Sequence, residues 1–183
     1  MSFRGTQALC AAALVAALAA LVVPVAATPS SSHDHIARGS LSALESGVLQ
    51  QINTIRRRHG LQPVRSNTEL TEAAVSHTRE MGSFGYFEHE SHDGTAFWKR
   101  IKRWYGSGGY GLWSVGENLL WSSPDVQPSA ALELWMHSPE HRANILTAKW
   151  REIGVAAVHV LGAPGSYNGL TVTIITTDFG VRR

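Results

Sequence analysis

The sequence predicts an α+β fold, and three features carry that prediction. Two segments with apolar residues at helical spacing come first. Two β-branched runs joined by a glycine-rich loop come last. Between them lies a stretch dense in glycine and aromatic residues. The chain has 183 residues, enough for one domain. Hydrophobic residues make up 44% and charged residues 16%, a globular composition. Lys and Arg number 16 against 14 Asp and Glu, so there is no dense positive field to suit nucleic acid.

Residues 1–27 are expected to be a signal peptide. Arg4 precedes an apolar run from Ala8 to Val23, and Val25-Ala26-Ala27 offers small residues for a cut after Ala27. The run is shorter than the ~20 residues needed to span a bilayer. No later stretch approaches spanning length, so a secreted protein without a membrane span is expected. Cleavage removes Cys10, the only cysteine. The exported chain therefore has no disulfide, thiol nucleophile or cysteine ligand, and must hold together by core burial. Export without disulfides is typical of bacteria.

Residues 28–40 are Ser- and His-rich without periodicity and read as a disordered lead. The domain is expected over 41–183. Leu41, Leu44, Val48, Leu49, Ile52 and Ile55 predict an amphipathic helix over 41–59. Arg56, Arg57 and Arg58 suit its negative dipole end as a solvated terminus, and Gly60 stops it. Ser66 or Asn67 caps a second helix with Leu70, Ala73, Ala74, His77 and Met81 on one face, ending at Gly82 and Gly85. His77 lies on its apolar side and reads as a buried structural histidine.

From Phe84 to Trp121 the reading is loop-rich, with Phe97, Trp98, Trp104, Tyr105 and Tyr110 as packing anchors. Ser129–Met136 is a predicted helix, opened by Pro128 and ended by Pro139. Ile153–Val160 and Leu170–Thr177 read as strands joined by a hairpin loop over Gly162–Gly169.

Chemistry, if present, rests on histidines and carboxylates. His89 and His92 stand in EHESHDG, His137 and His141 in WMHSPEHRANIL, and Glu117 in VGENLL. Paired histidines with carboxylates suit either a Zn²⁺ site or acid–base work. His137-Ser-Pro-Glu-His141 fits a zinc-protease pattern formally. That chemistry needs both histidines on one helical face, and Pro139 interrupts the helix between them. No serine stands in a nucleophile-elbow context, and Gly106–Gly109 lacks the Lys-Ser/Thr of a phosphate loop.

Taken together, INTIRRRHGLQPVRSNTELTEAAVSHTREM, YFEHESHDGTAFWKRI, VGENLLWSS, ALELWMHSPEHRANILTAKWREIGVAAV and ITTDFG resemble the bacterial SCP-domain branch of the CAP superfamily. That superfamily contains cysteine-rich secretory proteins, venom antigens and pathogenesis-related proteins. The resemblance covers about Leu41 to Gly180. It implies an α-β-α sandwich around a small central antiparallel sheet, and a surface cleft of two histidines with acidic residues. By motif, the histidines are His89 and His141, and the glutamate of G-E-N is Glu117. Ser138 falls where animal and plant members carry a second glutamate, and Glu140 replaces the glycine before the second histidine. Glu140 either narrows the cleft or supplies a carboxylate.

Each residue also has a structural reading. Glu117 and Asn118 could pin a loop, and His141 with Arg142 could cap a helix end. Three functions follow as expectations. The first is a secreted, non-catalytic binding module whose cleft holds a divalent cation such as Zn²⁺ by His89 and His141, with Glu117 orienting them. The second is a metal-dependent extracellular hydrolase using Glu117 as base. The third is a cell-envelope interaction protein with a structural cleft. A monomer is expected, with a small molecule, lipid or envelope ligand as partner.

Overall fold

The computed structural model describes residues 32–183, and side-chain surroundings from Ser42 onward. The signal peptide expected over residues 1–27 lies outside the described residues. Among the described residues, five α-helices and four strands run in the order α1 (Ser32–Arg58), β1 (Arg65–Ser66), α2 (Thr68–Phe84), α3 (Phe97–Trp104), β2 (Trp113–Ser122), α4 (Pro128–His137), α5 (Pro139–Ile145), β3 (Glu152–Val160) and β4 (Val172–Arg182). The α+β class is as predicted.

The sheet order is β1-β3-β4-β2. β4 pairs antiparallel with both β2 and β3, while the two-residue β1 runs parallel to β3. The sheet is therefore mixed at one edge, not wholly antiparallel. β4 is central and is buried over all but its last residue, because helices cover both faces.

Strand periodicity sorts these two layers. Ile153, Val155, Ile175, Phe179 and Val181 face α1, α4 and α5, where they join Val48, Ile52, Ala131, Trp135 and Ile145 in the largest core cluster. The opposite face meets α2 and α3. There a Cβ on Gly154 would collide with the α2 backbone at Leu70, and one on Gly180 with Leu70 and Tyr105. Glycine at these positions lets the first turn of α2 lie directly on the sheet.

α2 starts and stops as its sequence predicts. Asn67 accepts the Leu70 N–H at 3.0 Å, and Gly85 closes the helix at φ 72°. α4 ends before Pro139, but Pro139 then opens α5 as its first residue, where a missing N–H costs nothing.

Several expectations are corrected. α1 begins at Ser32, so the part of the lead over 32–40 is helical; extending a helix that is already nucleated costs less than starting one. Arg56 is not a solvated helix end but fully buried. Its guanidinium donates to the carbonyls of Gln62 at 3.0 Å, Ile145 at 2.7 Å and Thr147 at 3.0 Å, tying the end of α1 to the segment after α5. The middle of the chain holds α3 and β2, neither predicted. Of its aromatics only Tyr105 is fully buried; Trp98, Trp104 and Tyr110 are exposed. β4 extends to Arg182, past the Thr177 expected from the β-branched run.

Candidate functional site

The site is organised by Gly116-Glu117-Asn118 on β2, because successive strand residues point to opposite faces. Glu117 points toward α2 and α3, and Asn118 toward α5. Gly116 shares Asn118's face, where a Cβ would meet the Asn144 side chain and Trp150.

On one face, the Glu117 carboxylate is fully enclosed. Its Oε1 accepts from His89 Nδ1 at 2.8 Å, and its Oε2 pairs with the Arg100 guanidinium of α3. Arg100 also donates to the His89 carbonyl at 2.9 Å and to Ser91 Oγ at 3.2 Å, so one buried arginine fixes both the carboxylate and the loop bearing the histidine. Burial alone would raise the Glu117 pKa. The His89 hydrogen bond and the Arg100 charge outweigh it and hold the carboxyl below its ordinary value. The same bond, only partly offset by burial, raises the His89 pKa.

With its Nδ1–H given to Glu117, His89 presents Nε2 outward on a side chain that is 46% exposed. A carboxylate behind an imidazole fixes the tautomer in which Nε2 carries the lone pair.

On the other face, Asn118 donates to the His141 carbonyl at 3.2 Å and accepts from Asn144 Nδ2 at 2.9 Å. Asn144 accepts the Trp150 indole N–H at 3.1 Å. These bonds hold α5 against β2. His141 lies in α5, and its Nδ1 meets Ser138 Oγ at 2.8 Å. Ser138 thus stands behind His141 much as Glu117 stands behind His89, but with a neutral partner. The His141 pKa is lowered, first by burial and then by the charge of His89. Glu140 is exposed on the first turn of α5, where its charge acts weakly against that lowering.

His89 with Glu117 on one face of the edge strand β2, and His141 with Ser138 on the other, flank one seam of the fold. Two other histidines do different work. His77 is buried, donates Nε2–H to the Glu88 carbonyl at 2.9 Å, and burial lowers its pKa, so it is a neutral structural residue as predicted. His137 sits on the exposed end of α4 and bonds the Glu133 carbonyl at 2.8 Å. Among the described residues, no group of three or more His, Cys, Asp or Glu side chains is placed to hold a metal ion.

Two residues of this network escape the sequence reading. Arg100 shares a helix face with Phe97 and Ile101 in FWKRIKRW, and a lone basic residue on an apolar face is the signal that could have found it. Asp178 lies in the central strand, directly opposite Glu117 on one side and Gly154 on the other. Its carboxylate is fully buried and makes no hydrogen bond of ordinary geometry, with the Glu117 carboxylate as its neighbour. Burial, with the Glu117 charge beside it, raises its pKa well above the ordinary value, so Asp178 is held protonated.

The sequence profile of the cysteine-rich secretory protein family, CAP, matches residues 49–173. The chain is 30% identical over 122 residues to the YkwD protein of Bacillus subtilis, covering 67% of this chain and 45% of that protein. A YlbC membrane protein of the same organism is 29% identical over 111 residues, with 61% and 30% covered. The chain thus spans less than half the length of these curated relatives. Among solved structures, an extracellular SCP-domain protein of Bacillus anthracis superposes with a TM-score of 0.56 at 28% identity, over 79% of this chain and 43% of that one. An outer surface protein of Borrelia burgdorferi shares the fold at a TM-score of 0.58 and 16% identity, over 84% and 96%.

Proposed function

We infer the function from one premise: the chain belongs to the cysteine-rich secretory protein family, CAP. It acts as a secreted, non-catalytic binding module whose seam between β2, the His89 loop and α5 receives its ligand. One observation carries the non-catalytic reading. Both oxygens of Glu117 are committed, one to His89 and one to Arg100. A general base must also reach the proton it removes, and the Glu117 side chain has no exposure through which a substrate could approach. A carboxylate held below its ordinary pKa is also a weaker base. Glu117 is therefore a positioning group, and the hydrolase reading loses its base.

The same geometry supports a divalent cation as one ligand of the seam. The donor set is His89 Nε2 and His141 Nε2, the latter in the tautomer whose Nδ1–H donates to Ser138. Two imidazoles suit Zn²⁺ held weakly, with water completing its coordination, and not a closed four-ligand structural site. Bound there, the cation would supply an electrophilic anchor for an anionic or carbonyl group. Glu117 and Ser138 would fix the two rings, and Glu140 would add negative charge nearby.

Secretion accords with the basic, apolar and small-residue order of residues 1–27. No helix among the described residues is long and apolar enough to cross a membrane. Calorimetric titration with Zn²⁺ at neutral pH tests the cation reading. The wild-type chain should bind one more ion than the His89→Ala/His141→Ala variant, which retains the histidines outside the seam. Equal stoichiometry in the two proteins would overturn it.

A further inference from the structure

Residues of α2, the loop after it and α3 line an open cavity of about 310 Å³ that shares Arg100 with the His89 loop but includes neither His89 nor His141. α2 contributes Glu80, the loop after it Ser91 and Asp93, and α3 contributes Arg100, Arg103 and Trp104. Residues 100, 103 and 104 fall three and four apart, so helical periodicity presents them together.

The charges in this cavity cancel: two guanidiniums stand with two carboxylates. An anion attracted by Arg100 and Arg103 would meet Glu80 and Asp93. A cation drawn to the carboxylates would meet the arginines. What the lining does offer is alternating donors and acceptors. Arg100 gives its terminal nitrogens to Glu117, His89 and Ser91, and its Nε–H is buried without a partner, so Arg103 is the guanidinium free to donate into the cavity. Glu80 uses one oxygen to accept from Tyr86 at 2.6 Å and keeps the other. Asp93 likewise accepts the Thr95 N–H at 2.8 Å through Oδ1 alone. Trp104, 43% exposed at the end of α3, adds an indole that the core does not use.

We propose that this cavity is a saccharide-binding site for a neutral sugar ring of an oligosaccharide. A pyranose carries neighbouring hydroxyls that each donate and accept, matching carboxylates set beside guanidiniums. It also has an apolar C–H face that rests on an aromatic surface. The volume lies at the lower end of the range for small-molecule sites, enough for one or two rings. The inference does not depend on a cation in the seam, because none of the groups it uses is His89 or His141.

The test is NMR titration of the full chain with chitotriose, cellotriose and maltotriose as neutral probes. At least one should bind with a dissociation constant in the low millimolar range and shift the Trp104 indole N–H resonance. Trp104→Ala and Asp93→Asn should each weaken that binding tenfold or more. Both sites are exposed, so circular dichroism should stay unchanged. His89→Ala should leave saccharide binding intact, which separates this site from the seam. Absence of binding by all three probes at 20 mM would overturn the proposal, as would affinity unchanged in Trp104→Ala. Displacement of the sugar by millimolar inorganic phosphate or free glycine would also overturn it, since the cavity would then be an anion or zwitterion site.

Discussion

Replacing Glu117 by Gln tests whether the carboxylate is first a counter-ion for Arg100. The Glu117 side chain has no exposure and that of Arg100 only 4%. Solvent therefore screens neither charge, and the small values typical of surface pairs do not apply. Arg100 cannot lose its proton, so Glu117→Gln leaves a buried guanidinium facing a neutral amide. Breaking a buried pair from one side costs ~3–5 kcal/mol. The lower end is expected here. Asp178 stands opposite position 117 in the sheet, and removing the Glu117 charge removes one of the causes, after burial, that raise its pKa. Its ionisation would partly replace the lost charge. A loss of about 3 kcal/mol should lower Tm by roughly 6–12 °C in a chain of this size. Urea denaturation of wild type, Glu117→Gln, Arg100→Met and the double variant gives the coupling directly. The double variant should be more stable than Glu117→Gln alone, because no unpaired charge remains. A Glu117→Gln loss below ~1 kcal/mol, or additive single effects within about 0.5 kcal/mol, would refute the buried-pair reasoning.

Trp135→Ala should cost ~3–5 kcal/mol as a large-to-small core change; Trp135 is buried and donates its indole N–H to the Leu119 carbonyl at 2.9 Å, and chemical denaturation measures the loss. Zn²⁺ affinity should fall as pH drops from 7.5 to 5.5. The raised His89 pKa starts proton competition above the ordinary histidine value of ~6.5, and calorimetry at several pH values follows it. Ser138→Ala should weaken Zn²⁺ binding by roughly 10-fold, because His141 loses the partner of its Nδ1. Asp178→Asn should flatten the decline of stability with pH above about 4, read from denaturation at pH 4 to 7. The folded state keeps a proton that the unfolded chain releases there, so wild-type stability falls as pH rises, and Asn has no proton to lose.

The elements with one dominant period were legible in the sequence. Asn67, the apolar face of Leu70 to Met81, and Gly85 gave α2 its start, face and stop. The β-branched run identified β4, since threonines and aliphatics both suit a strand buried on two sides. β2 was hidden because its central residues, Gly116, Glu117 and Asn118, are poor strand formers and are retained for what they bond. α3 was hidden by its length and by tryptophans that resemble core residues yet lie outside. For the site, local motifs marked His89, Glu117 and His141, but not the roles of Arg100 and Asp178. Those roles come from cross-strand register and from packing between α3 and the sheet, neither of which has a local signature.

The seam also has a mechanical consequence. Both its walls are fastened to adjacent residues of one strand: Glu117 holds the His89 loop through Oε1, and Asn118 holds α5 through the His141 carbonyl. β2 pairs with the central strand from Trp113 to Ser122, so neither residue can move without disturbing the ladder. Arg100 adds a third tether, from α3 to the same carboxylate and to the His89 carbonyl. A site tethered in this way is preorganised, and a ligand entering it need not first order the loop. Closure of the walls around a ligand would require breaking the buried Glu117–Arg100 pair or the β2–β4 ladder. Breaking that pair alone would cost ~3–5 kcal/mol, a large share of the ~4–8 kcal/mol that a millimolar to micromolar ligand gains on binding. The proposed recognition at this seam is therefore expected to fit a fixed surface, with the protonation of His89 and His141 as its two adjustable elements.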